Sequence, residues 1–320
     1  MSNIVLIISD SQQKKVTACY ADYYVDRNAP GVIFAAKLPD TAITLYKSGK
    51  LMFQGGGAER EAARWGTVQP SSTSKKSATP AKSSSLAAKI GAKGDTLPEG
   101  FATMSVLGSD ETGTGDYFGP ITVAAVYVPA SKIALLEELG VKDSKMLTDD
   151  YMRQIAPDLR AACVHSVLVL RNEKYNVIQG RGYSQGKIKA MMHNKALLHT
   201  LEKMAPEKPD HILIDQFAER GVYYNYLKNE KEIVRENVLL STKAEQLHVS
   251  VATASILARA SFLKEMDHLS EVAGVEILKG ASGKVDVLAA RIWKQQGEEK
   301  LRSLTKWHFA NTEKARKLLK

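Results

Sequence analysis

The chain has 320 residues, 44% hydrophobic and 25% charged, with a formal net charge of +9; that is ordinary globular composition and long enough for two cores. No stretch approaches the roughly 18 continuous apolar residues of a membrane span, and Cys19 and Cys163, far apart and without CxxC spacing, argue against a zinc knuckle or a disulfide framework. The basic excess favours polyanionic partners through phosphate neutralisation, although it is spread along the chain, about +2 over residues 1–65, +3 over 66–104 and +4 beyond.

In chain order, Ile4–Ile8 reads as a strand, too short for a signal peptide and soon followed by Asp10, which points to a cytoplasmic protein. Ser9 caps a helix reaching about Tyr24. GVIFAAKL, TAITLYK and KLMFQ read as three strands separated by Pro39-Asp40 and Ser48-Gly49, and residues 57–65 as a second helix. The order is β-α-β-β-β-α, with the second to fourth strands in one sheet and helices on one face. Period-2 parity assigns Val32, Phe34, Ile43, Leu45, Leu51 and Phe53 to the helix side. It leaves Ile33, Ala35, Lys37, Thr44, Tyr46, Lys50 and Met52 on a face with no covering layer.

TVQPSSTSKKSATPAKSSS (67–85) has almost no large apolar residue and cannot offset its own ordering entropy. With the turn chemistry of GAKGDTLPEG it defines a flexible linker over 67–100, between a domain of residues 1–66 and one of 101–320. The second domain alternates in α/β style. SVLGSDE, ITVAAVYVP, Cys163–Leu170, HILIDQF and NVLLSTK are strands. Helices fall at about 148–161, 184–204 and Glu245–Asp267, and the tail over about 284–319 is helical and basic.

Four acids stand where acids are costly. Asp110-Glu111 closes one apolar strand, Asp215 ends another, and Glu245 follows a third and opens a helix. A carboxylate at a buried strand end needs compensation, and several there compensate one another only through cations. Hard, oxygen-loving Mg²⁺ or Mn²⁺ fits that demand. Two ions about 3.5–4 Å apart activate water and stabilise the leaving oxygen of a phosphodiester. Taken singly, each acid also suits a solvated or helix-capping role. Gly113-Thr114-Gly115 after the Asp-Glu pair suits backbone contacts to a phosphate or sugar, and equally a tight turn. Tyr117 and Phe118 either stack on substrate or fill the core. His248, one turn after Glu245, either touches the site or packs, and for His193 and His308 a structural role is the simpler reading.

The blocks GSDETGTGDYFGPITVAAVYV, VKDSKML, NEKYN, QGKIKAMMHNKAL, ILIDQFAERGVYY, STKAEQLHVSVATASILARASFLK, KGASGKVD and HFANTEKA, in that order over about 103–315, resemble type 2 ribonucleases H in their bacterial ribonuclease HIII variety. The first 65 residues are similar to that family's N-terminal domain, a small α+β domain whose fold resembles half of the TATA-binding protein. The resemblance implies a ribonuclease-H-like mixed sheet flanked by helices, with Asp110, Glu111, Asp215 and Glu245 as catalytic metal ligands for two Mg²⁺ or Mn²⁺ ions. Asp110 would bridge both ions, Glu245 help the one holding the attacking water, and Glu111 and Asp215 serve the leaving-group side. Gly113, Thr114 and Gly115 would contact the RNA backbone and 2′-hydroxyls. Ser144 and Lys145 would contact phosphate, unless Lys145 is a solvated surface charge. Lys37, Tyr46 and Lys50 on the bare N-terminal face would grip the duplex.

The implied activity is endonucleolytic cleavage of the RNA strand of RNA–DNA hybrids, leaving 5′-phosphate and 3′-hydroxyl ends, by a monomer with no membrane and no obligate protein partner. Glu245 in the fourth place and the Gly-Thr-Gly turn separate the chain from the sister ribonuclease HII, which has Asp there and Gly-Arg-Gly or Gly-Lys-Gly. Three rivals remain: ribonuclease HII-like cleavage at single embedded ribonucleotides, a non-catalytic nucleic-acid-binding protein, and a DNA-resolving nuclease of similar fold.

Overall fold

The computed structural model describes residues 2–27, 31–47, 49–66, 94–141 and 147–319, so Ser144, Lys145 and most of the expected linker lie outside the described residues. The N-terminal elements are β1 (Ser2–Ile7), α1 (Asp10–Cys19), β2 (Val32–Lys37), β3 (Thr41–Tyr46), β4 (Lys50–Gly55) and α2 (Ala58–Ala62). Ser9 starts α1, and its amide donates to Gln12 Oε1 at 3.0 Å, half of a capping box. The sheet runs β1-β4-β3-β2, all antiparallel, so the first strand joins the three that parity had grouped.

One face buries Phe34, Ala36, Ile43, Leu45, Leu51 and Phe53 under Val16 and Tyr20 and under Ala58 and Ala62 of α2. Val32 is the exception to the expected parity. The β2–β3 register shifts between Val32 and Phe34, and such a bulge turns the residue before it to the opposite side.

That opposite face is covered, which corrects the expectation of a bare one. Tyr46 and Met52 are fully buried in a cluster with Leu135, Leu136, Leu139 and Val141 of the following domain, with Val5 and Val32 packed against it. Lys50 Nζ lies 3.4 Å from Glu138. Arg27 donates to Thr44 Oγ1 at 3.0 Å and pairs with buried Asp158. Parity finds an apolar face but cannot say which distant segment will bury it. Tyr46 has no surface to offer a duplex, Lys50 is held by Glu138, and Lys37 alone of the three stays exposed.

The second domain contains β5 (Val106–Thr112), β6 (Ile121–Val128), α3 (Ile133–Glu138), α4 (Asp149–Ala162), β7 (Val164–Leu170), α5 (Asn172–Gly180), α6 (Gln185–Met204), β8 (His211–Asp215), α7 (Arg220–Leu227), β9 (Val238–Ser241), α8 (Val249–Ala273), α9 (Gly283–Gln296), α10 (Glu298–Leu304) and α11 (Ala310–Lys317). Its sheet is mixed, in the order β7-β6-β5-β8-β9. β5 is antiparallel to β6 and parallel to β8, which is parallel to β9. β6 is apolar almost throughout and buried along its whole length, as a strand covered on both faces must be.

α3, α4 and α8 cover one face, α6 and α7 the other. Gly108 lets α8 approach β5, since a Cβ there would lie 2.5 Å from the Val251 amide nitrogen. The expected linker ends earlier than Gly100. Gly94 bridges to Ser241, the Asp95 amide donates to Leu240 O at 2.9 Å, and the Asp95 carboxylate pairs with Arg220. The expected helix from Glu245 begins at Val249, with His248 as its cap; Glu245 sits in a separate 3₁₀ turn, Ala244–Gln246.

Candidate active site

Three parallel strands, β5, β8 and β9, present their carboxyl ends together, the side of an α/β sheet where ligands bind. Asp110 and Glu111 lie in the last turn of the pleat of β5, Asp215 is the last residue of β8, and Glu245 follows β9 after three residues. The structure thus brings together all four acids read from the sequence.

The charges of these acids oppose one another. Burial, then the neighbouring Asp215 and Glu111, push the Asp110 carboxyl well above its usual range. Asp215 is raised by burial and by the charges of Glu245 and Glu111, although the Ala244 amide donates to its Oδ1 at 2.9 Å. Glu111 goes the other way. Burial would raise it, but His193 and Lys189 outweigh burial and hold it down at about 2. Lys189 Nζ is 2.8 Å from Oε1 and His193 Nε2 is 2.8 Å from Oε2. His193 Nδ1 shares a 2.5 Å hydrogen bond with Ser109 Oγ. Phe217 covers both bases, with Lys189 4.1 Å from its ring centre and the His193 ring 5.3 Å away.

Lys189 was not singled out in the sequence, and His193 was read there as structural, yet both hold Glu111. They stand four apart on α6 and so share a face. That spacing was a usable signal, but their partner lies some eighty positions earlier in the chain.

Among the described residues, no three His, Cys, Asp or Glu side chains close tightly enough to form a complete cage for an ion. The donor set nevertheless fits a hard divalent cation. Such ions keep several waters and take one or two carboxylates plus substrate phosphate, and mutually raised buried carboxylates are what a cation would relieve.

A family model described as Ribonuclease HII matches residues 107–312, and one described as a domain of unknown function matches 3–78. The chain is 76% identical to the Ribonuclease HIII of Lysinibacillus sphaericus and 51% identical to that of Bacillus pumilus, over 100% of each chain. The chain belongs to the ribonuclease HIII family. Among solved structures, Bst-RNase HIII in complex with Mn²⁺ matches with a TM-score of 0.69 at 44% identity, covering 100% of this chain and 99% of that one. Aquifex aeolicus RNase H3, at 21% identity and a TM-score of 0.51, covering 95% and 98%, shares the fold.

In this chain the glycine turn follows β5 directly. Gly113 has φ +92°, and a Cβ there would lie 2.2 Å from Pro120 O, so only glycine fits. Gln185 Nε2 donates to Thr114 O at 3.0 Å. Gly115 is exposed, with open space where a side chain would stand. Tyr117 and Phe118 are fully buried against each other, rings 5.2 Å apart, and fill the core. His248 is also structural: its Nδ1 caps Ser250, and its Nε2 meets Met104 O at 3.1 Å. Exposed His308 packs on Tyr175 and Phe309.

Proposed function

We propose that this chain hydrolyses the RNA strand of RNA–DNA hybrids at a centre made by Asp110, Glu111, Asp215 and Glu245. The observation that supports this most is the convergence of four acids, two of them with raised pKa, at the open ends of β5, β8 and β9 beside a glycine turn. Two Mg²⁺ or Mn²⁺ ions bound there would supply an activated water and stabilise the leaving oxygen, giving 5′-phosphate and 3′-hydroxyl ends.

The chain's own residues prepare that chemistry. Lys189 and His193 keep Glu111 ionised and fix both its oxygens, the kind of outer contact that orients a ligand. The Ala244 amide orients Asp215, and the Glu111 amide donates to Asp110 Oδ1 at 2.6 Å. Thr114 and Gly115, on the solvent side of the turn, reach the RNA backbone and its 2′-hydroxyls, with Ser144 and Lys145 on phosphates. Lys37 offers the N-terminal domain one phosphate contact. The same reading places the protein in the cytoplasm as a monomer. All four acids and the turn come from one chain, and no helix among the described residues is long and apolar enough to cross a membrane.

The test uses three labelled duplexes, namely an RNA–DNA hybrid, a DNA–DNA duplex, and DNA with one embedded ribonucleotide. The reading expects Mg²⁺- or Mn²⁺-dependent cutting of the first, none of the second and little of the third. Comparable rates on the first and third would assign ribonuclease HII-like specificity instead. Cutting of all three would assign a DNA nuclease.

A further inference from the structure

Lys306, between α10 and α11, is fully buried and remote from the acid cluster's own contacts. Its Nζ donates to three backbone carbonyls, Asp116 O at 2.8 Å, Gly119 O at 2.5 Å and Pro120 O at 3.4 Å. Its own amide donates to Tyr117 O at 2.8 Å. These carbonyls form the returning limb of the loop that begins with Gly113-Thr114-Gly115. Other groups hold the same limb. Asn172 Nδ2 donates to Gly119 O at 2.9 Å, and the Gly280 amide donates to Asp116 Oδ1 at 2.6 Å.

An ammonium carries three donors on a flexible stem, which suits three converging carbonyls that no single neutral side chain could satisfy. Its burial is expensive, and that burial pulls the Lys306 amine down to about 7, with Asp116 the charge that opposes the shift. The ring of Tyr175, 6.0 Å from Nζ, closes one side. The limb is mechanically joined to the turn, because Gly113 is wedged against the very Pro120 carbonyl that Lys306 approaches.

We propose that Lys306 is a positioning residue that sets the height and tilt of the Gly113-Thr114-Gly115 turn, and through it the preference for an RNA strand over a DNA strand. This rests on the reading of that turn as the contact to the ribose backbone. Lys306 touches no substrate atom. It fixes the carbonyls, and the carbonyls fix the turn. Without its donors, the loop would lose three buried hydrogen bonds and gain freedom where ribose and deoxyribose must be told apart.

The experiment measures dissociation constants in Ca²⁺, without cleavage, for an RNA–DNA hybrid and a DNA–DNA duplex of equal length, together with kcat and KM on the hybrid in Mg²⁺. Lys306→Met keeps the stem and removes the donors. Its hybrid affinity is expected to fall about tenfold, about what buried hydrogen bonds cost when unmade, with DNA–DNA affinity unchanged, KM raised and kcat reduced much less. Lys306→Gln, which keeps two donors, should recover part of the ratio. It also serves as the test should the methionine variant not fold.

Gly115→Val separates the two readings, since its Cβ meets nothing in the free protein but would obstruct a strand lying on the turn. If Gly115→Val loses the hybrid preference while both Lys306 variants keep it, the role of Lys306 is overturned. If all three keep it, the turn does not read RNA, and the inference falls with that reading. Equal weakening toward both duplexes in the Lys306 variants also overturns it.

Discussion

The N-terminal sheet buries both its faces, Phe34 and Leu51 under helices, Tyr46 and Met52 against the second domain. The catalytic sheet also buries both faces, but it leaves three parallel strand ends free and sets acids on them. In the first sheet charges near the covered face are paired off, Lys50 with Glu138 and Arg27 with Asp158. In the second, like charges are held together in a buried place, and burial, reinforced by those charges, pushes two of them up. One arrangement gains stability from burial; the other gives up stability, which the proposed function explains as a place to hold cations.

The sharpest break of this comparison is at Asp110. Asp110→Asn should reduce hybrid cleavage at least about 10³-fold, because the proposed centre loses one of its metal ligands. The same change should stabilise the metal-free protein. A carboxyl whose folded pKa is raised binds more protons folded than unfolded. Metal-free stability therefore falls as pH rises from the ordinary carboxylate range through the raised values of Asp110 and Asp215. Removing one charge relieves that, at roughly 1.5 °C in Tm per kcal/mol for a chain of 320 residues. Thermal melts in EDTA at neutral pH measure it, and a lower Tm for the variant would refute the strain argument.

Next in size is the support under Glu111. Lys189→Met removes one base and His193→Phe the other, and each should cost about 10–100-fold in activity or metal affinity, as loss of a ligand's outer partner does. The sign with pH follows from Glu111, which is held down at about 2. Losing a partner raises it, so the acidic limb of the pH–rate profile should move to higher pH in either variant. An unmoved limb would mean these bases only pack.

The acids were legible because their chemistry cannot be satisfied locally: Asp110 and Asp215 end apolar strands and announce a missing partner. The helix-side parity of Phe34, Ile43, Leu45, Leu51 and Phe53 was legible for the same local reason. Val32 was not, since a bulge in the pairing reverses it. The cover over Tyr46 and Met52 comes from residues some ninety positions away, and no periodicity encodes that. The helix start was misplaced at Glu245 because Lys243, at φ +56°, turns the chain into a short 3₁₀ segment before His248 caps the true helix.

Smaller effects belong to the N-terminal sheet. Deleting residues 1–66 exposes the apolar partners of Tyr46 and Met52, so the remaining domain should melt several degrees lower. KM for the hybrid should rise about tenfold through the lost second site, with kcat falling much less. Unchanged melting would show that the sheet does not rest on the second domain. The least is expected of Lys37→Ala, a KM rise of about two- to threefold and a salt slope reduced by about one, as for a single phosphate contact. A salt slope identical to that of the parent would leave Lys37 no part in binding.

If these four acids are held together for cations, a divalent ion must bind among them and change their protonation. Calorimetric titration of Mn²⁺ into the metal-free protein, in two buffers of different ionisation enthalpy, tests it most directly. Binding should be accompanied by proton release, because Asp110 and Asp215 hold protons more tightly than ordinary carboxylates until a cation displaces them, and it should be severely weakened in Asp110→Asn. Mn²⁺ that binds Asp110→Asn as it binds the parent chain, with no proton released, would contradict it.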